Sequence, residues 1–248
     1  MQKKHALILA ICLTILISNT LFLFSVSEKE KLKFITVARV IDGDTLVTSS
    51  GETIRLANIN SPEKSSNLSS LSKDYLSSFI NKSIYIDIIK IEKYGRTLGK
   101  IYTQDNSYIN LQLVNLGLAS KFLVDESELK DFNKAEESAI NNEKGIWKKS
   151  EFENCINIEI YKKEEYLMIE NSCSSLNISN WTIKDESRKE YKFRTILYNT
   201  IILHSSSGND NSTDLFWNEK TGIWNNDRDT LYLFDKENNL VFHKSYGY

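Results

Sequence analysis

Residues 40–63 read VIDGDTLVTSSGETIRLANINSPE, and this stretch decides the fold of the first half of the chain. Two turn signals, DGD at 42–44 and SG at 50–51, separate three apolar segments of the kind that form strands. The sequence therefore predicts three antiparallel strands joined by tight turns. Polar side chains fall at the strand ends, where acidic oxygens suit a hard cation and the guanidinium of Arg55 suits a phosphate. Because Asp-Gly is also the ordinary punctuation of a hairpin, DGDT alone indicates a turn and not a site.

Four more short motifs follow DGDT in a fixed order. They are IRL at 54–56, SPE at 61–63, YGR at 94–96 and GLA at 117–119. With all five motifs in this order, residues 34–147 resemble the staphylococcal nuclease family. The resemblance implies an OB-like β-barrel with helices packed on it. It also implies a calcium-dependent phosphodiesterase site, with DNA, RNA or both as substrate.

Phosphodiester hydrolysis needs an activated water, neutralisation of the charge that grows on the phosphate, and stabilisation of the leaving oxygen. The resemblance implies which residues of the matching motifs meet these needs. They are Asp44, Asn60 and the carbonyl of Ser61 as calcium ligands, Glu63 as general base, Arg55 and Arg96 as phosphate clamps, and Lys93 and Tyr94 as contacts to a terminal phosphate.

Two positions depart from the family pattern. Asn60 stands where the family usually has Asp, so the implied metal site loses a formal charge, and calcium affinity depends on ligand charge. After GLA, where relatives carry tyrosines that contact the nucleotide, residues 120–125 read SKFLVD. We therefore expect weak calcium binding, and the substrate preference stays open.

Apolar periodicity predicts the rest of this first domain, which we place at residues 33–149. Residues 68–80 repeat apolar side chains at helical spacing, and residues 83–91 are rich in β-branched side chains typical of a strand. The further predicted elements are a strand at 98–103, a short helix at 111–116 and a longer helix at 126–141.

The composition changes after residue 150 to seven short strand-like segments about ten residues apart, the pattern of a β-sandwich. The order EYLMIEN, SNWTIKD, GIWNND and DTLYLFD resembles the lamin-tail domain, an immunoglobulin-like sandwich, over residues 153–248. Any seven-stranded sandwich is the simpler interpretation, and its tryptophans are expected in the core.

Cys155 and Cys173 flank the first two strands of this predicted sandwich, so we expect a disulfide between them and no zinc site.

Residues 1–27 have the pattern of a targeting segment. Lys3 and Lys4 precede the apolar run at 6–24, and small residues stand before a cleavage position at residue 28. The run is also long enough to anchor the chain in a membrane if it is not cleaved. The pattern favours export, so we expect an extracytoplasmic protein, secreted or membrane-anchored.

The charge balance indicates how a polyanion would be bound. Residues 28–150 carry 18 basic and 17 acidic side chains, a balance of +1, whereas residues 151–248 have a balance of −5. A nucleic acid would therefore be bound locally by individual arginines and not by overall charge.

Two functions are compatible with the sequence: an exported calcium-dependent nuclease, or a catalytically inactive barrel that serves as a binding module at the cell surface. The ligand of the second domain is not indicated.

Overall fold

The structure is a computed structural model, and it describes residues 32–62 and 68–248. The predictions made for residues 1–27 and for Glu63 lie outside the described residues. Within the described ranges, no helix combines the length and the apolar character needed to cross a membrane.

The first half of the chain is a closed barrel with the strand order β1-β2-β3-β6-β5. Its strands are β1 (Lys33–Asp42), β2 (Thr45–Thr48), β3 (Thr53–Leu56), β5 (Ser83–Ile91) and β6 (Thr97–Tyr102). The first three strands form the predicted antiparallel meander, with Asp42 opposite Thr45 and Thr45 opposite Arg55. The barrel closes through a parallel pairing of β3 with β6, in which Ile54 lies opposite Thr97.

Three helices are described around the barrel: α1 (Ser69–Ser77), α2 (Ile109–Asn115) and α3 (Leu129–Asn141). A 3-10 turn at Gly145–Trp147 follows. Two-residue strands β4 (Ile59–Asn60) and β7 (Ser120–Lys121) pair antiparallel and join the loop after β3 to the segment after α2. The barrel core contains the buried apolar side chains Ile35, Val37, Leu46, Ile54, Leu56, Ile59, Leu76, Ile84, Ile86, Ile101, Ile109, Leu113 and Phe132.

The second half consists of short strands, as the sequence predicts. They are β8 (Ile156–Tyr161), β9 (Tyr166–Asn171), β10 (Leu176–Asn177), β11 (Thr182–Lys184), β12 (Glu190–Lys192), β13 (Ile196–Leu197), β14 (Thr200–His204), β15 (Asp214–Phe216), β16 (Asp229–Phe234) and β17 (Leu240–Tyr246). Two four-stranded sheets have the orders β12-β11-β16-β17 and β15-β14-β9-β8. Trp181, Trp217 and Trp224 are buried in the core of this half. The prediction of a mainly β fold with a barrel followed by further sheets is confirmed.

The two halves share an apolar interface. The buried ring of Trp147 stacks on Tyr232 and Phe234, with ring centroids 5.3 Å and 6.4 Å away. Ile140 and Leu240 are buried in the same cluster. The connection continues in the backbone, because Leu240 N donates to Lys148 O at 2.7 Å. Burial of this aromatic and aliphatic surface fixes the second domain against the barrel.

A buried ion pair lies beside this interface. Lys121 Nζ is 3.2 Å from Glu136 Oε2, and both side chains are almost completely buried. Glu136 Oε1 also accepts hydrogen bonds from Lys121 N at 2.9 Å and from Tyr232 Oη at 3.2 Å. Lys121 Nζ lies 4.0 Å from the ring centroid of Tyr248. Residues from both halves therefore surround this charge pair.

In the structure a disulfide joins Cys155 to Cys173 across a sequence separation of 18, with the Cα atoms 5.2 Å apart. Closing a loop of this size is expected to stabilise the second domain by about 3 kcal/mol, because the crosslink restricts the unfolded chain. Thiol titration of the unreduced, denatured protein should find no thiol from this pair, with a Cys12→Ser background as control. Two reactive thiols in that background would contradict the prediction.

Candidate active site

Asp44 is the centre of the polar cluster formed by the turn after β1 and the loop after β3. The residue is 2% exposed. Its Oδ2 accepts hydrogen bonds from Ser61 N and Ser61 Oγ, both at 2.8 Å, and from Arg188 Nη2 at 2.6 Å. Arg55 Nη2 lies 3.4 Å from the same oxygen. One carboxylate oxygen is thus surrounded by donors from three segments of the chain.

The electrostatics of Asp44 follow from these contacts. Burial alone would raise the pKa of Asp44, but the charges of Arg55 and Arg188 and the hydrogen bonds from Ser61 hold that pKa below its usual value. Burial raises the pKa of the neighbouring Asp42, and the negative charge of Asp44 raises it further. Asp44 is therefore the stably ionised carboxylate of this pair.

Arg55 is a buried residue of β3 that is fixed by its own loop. Its Nη2 donates to Ile59 O at 2.7 Å and to Asn60 Oδ1 at 2.7 Å, and its Nη1 donates to Leu56 O. Burial lowers the pKa of Arg55, and the attraction of Asp44 opposes this effect. These contacts hold the guanidinium in one orientation beside Asp44.

The side-chain amide of Asn60 makes a hydrogen bond through each of its two polar atoms. Asn60 Oδ1 accepts from Arg55, and Asn60 Nδ2 donates to the backbone carbonyl of Glu186 at 2.8 Å. A carboxylate has no hydrogen to donate to this carbonyl. The contact with the second domain thus gives a physical reason for an amide at position 60.

Arg96, Lys93 and Tyr94 lie in the loop between β5 and β6. Arg96 directly precedes β6, in which Thr97 and Leu98 pair with Ile54 and Arg55 of β3. The side chain of Arg96 is 44% exposed, and its Nε donates to Glu92 Oε2 at 2.8 Å. Tyr94 is 85% exposed. The loop thus presents these polar side chains to solvent, and the charge of Arg96 contributes to the lowered pKa of Arg55.

In the described arrangement, Asp44 is occupied by guanidinium groups and is not open to a calcium ion. Among residues 32–62 and 68–248, no three His, Cys, Asp or Glu side chains are grouped so that they could hold a metal. Calcium takes its ligands from carboxylate, carbonyl, amide and water oxygens. Here two guanidinium groups face Asp44 Oδ2, and Asn60 Oδ1 accepts from one of them. A calcium ion at this carboxylate therefore requires that Arg188 leave it.

Sequence reasoning missed two participants, Arg188 and Glu186, which lie in the loop between β11 and β12. Arg188 is separated from Asp44 by 144 residues, and no local pattern marks it. Burial is the main cause that raises the pKa of Glu186 to about 7, and Tyr248 Oη donates to its carboxylate. A cavity of about 310 Å³ adjoins the cluster, and its lining includes Asn60, Ser61, Lys184, Arg188 and Lys192.

Comparisons with known proteins divide the chain in the same way. Residues 53–149 match the family described as Staphylococcal nuclease homologue, and residues 149–248 match the family described as Lamin Tail Domain. A protein named Uncharacterized endonuclease from Escherichia coli O157:H7 is 34% identical over 87 residues, which are 34% of this chain and 57% of that protein.

Two further relatives carry similar names. Endonuclease YhcR from Bacillus subtilis (strain 168) is 30% identical over 139 residues, covering 46% of this chain and 11% of that protein. An Uncharacterized endonuclease from Haemophilus influenzae is 35% identical over 113 residues, covering 42% of this chain and 62% of that protein. The chain thus spans less than two thirds of the length of each of these relatives.

Proposed function

We propose that the chain is a nuclease that hydrolyses phosphodiester bonds of nucleic acid, on the premise that residues 53–149 match the Staphylococcal nuclease homologue family and residues 149–248 match the Lamin Tail Domain family. The observation that carries the proposal is the fixed guanidinium of Arg55 next to Asp44, with Arg96 in the loop that leads into the neighbouring strand β6. Two such cations can neutralise the charge that develops on a phosphate in the transition state.

We assign the remaining roles to residues of the motifs that match the nuclease family. Arg55 and Arg96 contact the phosphate, Glu63 acts as the general base, and Lys93 and Tyr94 bind a terminal phosphate. Arg55 needs little reorganisation for this role, because its own loop already orients it. Arg96 lies in a solvent-facing loop, where an incoming strand can reach it.

The proposal includes export and calcium dependence. A disulfide is typical of proteins that function outside the cytoplasm, so Cys155–Cys173 supports the interpretation of residues 1–27 as a signal peptide or membrane anchor. Calcium, when bound, would supply positive charge next to the phosphate and would involve Asp44, Asn60 and the carbonyl of Ser61. Because Arg188 faces Asp44, such binding would be weak.

The contact between Arg188 and Asp44 also favours a second candidate function. In that alternative the chain is a catalytically inactive nuclease-like barrel that serves as a binding module at the cell surface. A barrel without a metal site would retain a surface for nucleic acid but would not hydrolyse it.

The test is release of acid-soluble nucleotide from DNA and from RNA by the purified full chain, with calcium and with a chelator. A Glu63→Gln variant prepared in parallel controls for contaminating nucleases. We expect release that requires calcium and is lost in the variant. Absence of release from both substrates at millimolar calcium would contradict the enzyme, and retained binding would then support the binding module.

A further inference from the structure

Arg188 is presented to the barrel by an ordered loop of the second domain. Asp185 holds the loop by accepting from Lys189 N at 2.8 Å and from Ser187 Oγ at 2.5 Å. Asn60 anchors it through the carbonyl of Glu186 at 2.8 Å. The backbone of Arg188 has φ = 77°, a left-handed conformation that is uncommon for a long side chain and is often found at functional positions.

The guanidinium of Arg188 lies where a cation bound to Asp44 would lie. Its Nη2 is 2.6 Å from Asp44 Oδ2, and calcium binds carboxylate oxygens at about 2.3–2.6 Å. Asp44 Oδ2 already accepts from Ser61 N, Ser61 Oγ and Arg188 Nη2, so a divalent cation that binds this oxygen would take the position of Arg188 Nη2 and would repel its charge. Arg188 and a divalent cation therefore exclude each other at Asp44.

We propose that Arg188 is a built-in competitor of the divalent cation, so that the second domain keeps the site closed to metal until a cation displaces this arginine. The inference rests on the proposed function in taking Asp44 as a metal ligand. Arg55 also faces Asp44, and it stays there because its own loop holds it. Loss of Arg188 thus leaves one guanidinium at the carboxylate in place of two.

Arg188 can leave Asp44 without separation of the two domains. The interface formed by Trp147, Tyr232 and Phe234 is apolar and does not depend on this ion pair. The side chain of Arg188 is 31% exposed and borders the cavity of about 310 Å³, which offers space for its displacement. Glu190 also lines this cavity and offers a carboxylate to the displaced guanidinium.

Calcium binding to the full chain tests the proposal by isothermal titration calorimetry, a measurement independent of catalysis. We expect Arg188→Gln to bind calcium at least tenfold more tightly than the unsubstituted protein, and Arg188→Lys, which keeps a charge but loses the planar fork, to lie between them. Arg194→Gln removes the same charge from an exposed position of the same domain and should leave the affinity unchanged. Circular dichroism verifies the fold of each variant.

Hydrogen exchange supplies a second readout, because competition is reciprocal. Calcium should increase exchange at residues 186–189 of the unsubstituted protein. Equal or weaker calcium binding by Arg188→Gln, or no detectable binding by either protein, would overturn the proposal. Hydrolysis in chelator that disappears in Arg188→Gln would also overturn it, since Arg188 would then replace the metal. Tighter calcium binding by the variant without hydrolysis by either protein would support competition and refute the nuclease.

Discussion

Replacement of Arg96 with alanine is expected to lower kcat by about 10³-fold, because loss of one charged contact to the transition state costs roughly 3 to 4 kcal/mol. The fold should survive. Arg96 lies in the loop before β6 with an exposed ion pair to Glu92, and exposed pairs of this kind contribute about 0–1 kcal/mol to stability. The measurement is kcat on saturating DNA at saturating calcium, together with the midpoint of thermal unfolding.

Arg39→Ala is the matched control for this substitution. Arg39 is an exposed arginine of β1 in the same barrel, so its loss removes an equal charge from a residue that is not one of the proposed phosphate contacts. We expect this control to retain most of the activity. If Arg96→Ala hydrolyses DNA as fast as Arg39→Ala, Arg96 has no part in transition-state stabilisation.

Replacement of Lys121 with methionine is expected to destabilise the protein by about 3 to 5 kcal/mol. The substitution preserves much of the side-chain volume but leaves the buried carboxylate of Glu136 without its ion-pair partner. Removing one member of a buried pair costs this much because the remaining charge stays desolvated. Urea unfolding followed by tryptophan fluorescence measures the effect, since Trp147 lies in the nearby interface.

The double variant Lys121→Met/Glu136→Gln distinguishes the stability cost of an unpaired charge from the cost of lost side-chain packing. Glutamine keeps an oxygen that can accept from Lys121 N, which is a backbone group, and from Tyr232 Oη, but it carries no charge. We therefore expect the double variant to recover most of the lost stability. Equal losses in the single and double variants would mean that packing of the lysine stem, and not the unpaired charge, determines the cost.

The fold could be predicted where local pattern determines it. The meander of β1, β2 and β3 follows from two turn signals and the alternation between them. Helix boundaries were less accurate. Helix α3 begins at Leu129 and not at 126, because Glu128 N first closes a turn on Asp125 O at 2.9 Å. Helix α2 begins at Ile109, two residues earlier than predicted.

Long-range pairings could not be predicted in the same way. The two-residue strands β4 and β7 are too short to show a period, and the parallel pairing of β14 with β15 has no local signature. Both pairings depend on tertiary contacts, which neither the hydrophobic period of a segment nor its turn residues indicate.

The candidate site also has a part that is local in the sequence and a part that depends on a long-range contact. Asp44, Arg55, Asn60 and Ser61 are close in the sequence, and the structure brings them together. Arg188 belongs to the second domain, and its contact with Asp44 follows only from the way in which the two domains pack together. Sequence reasoning treated Asn60 as a weakened metal ligand. The structure adds a reason of another kind, because Asn60 Nδ2 donates to a carbonyl of the second domain.

Because of the apolar interface around Trp147, the barrel cannot be separated from the second domain without exposing apolar surface. A barrel produced without residues 150–248 would lose Arg188 and would uncover Ile140, Ile146 and Trp147 at the same time. Newly exposed apolar surface of this kind promotes self-association. A change in the activity of such a fragment could result from the loss of Arg188 or from aggregation. Deletion therefore cannot assign a role to the second domain. Point substitution of one loop arginine in the intact chain avoids this confusion.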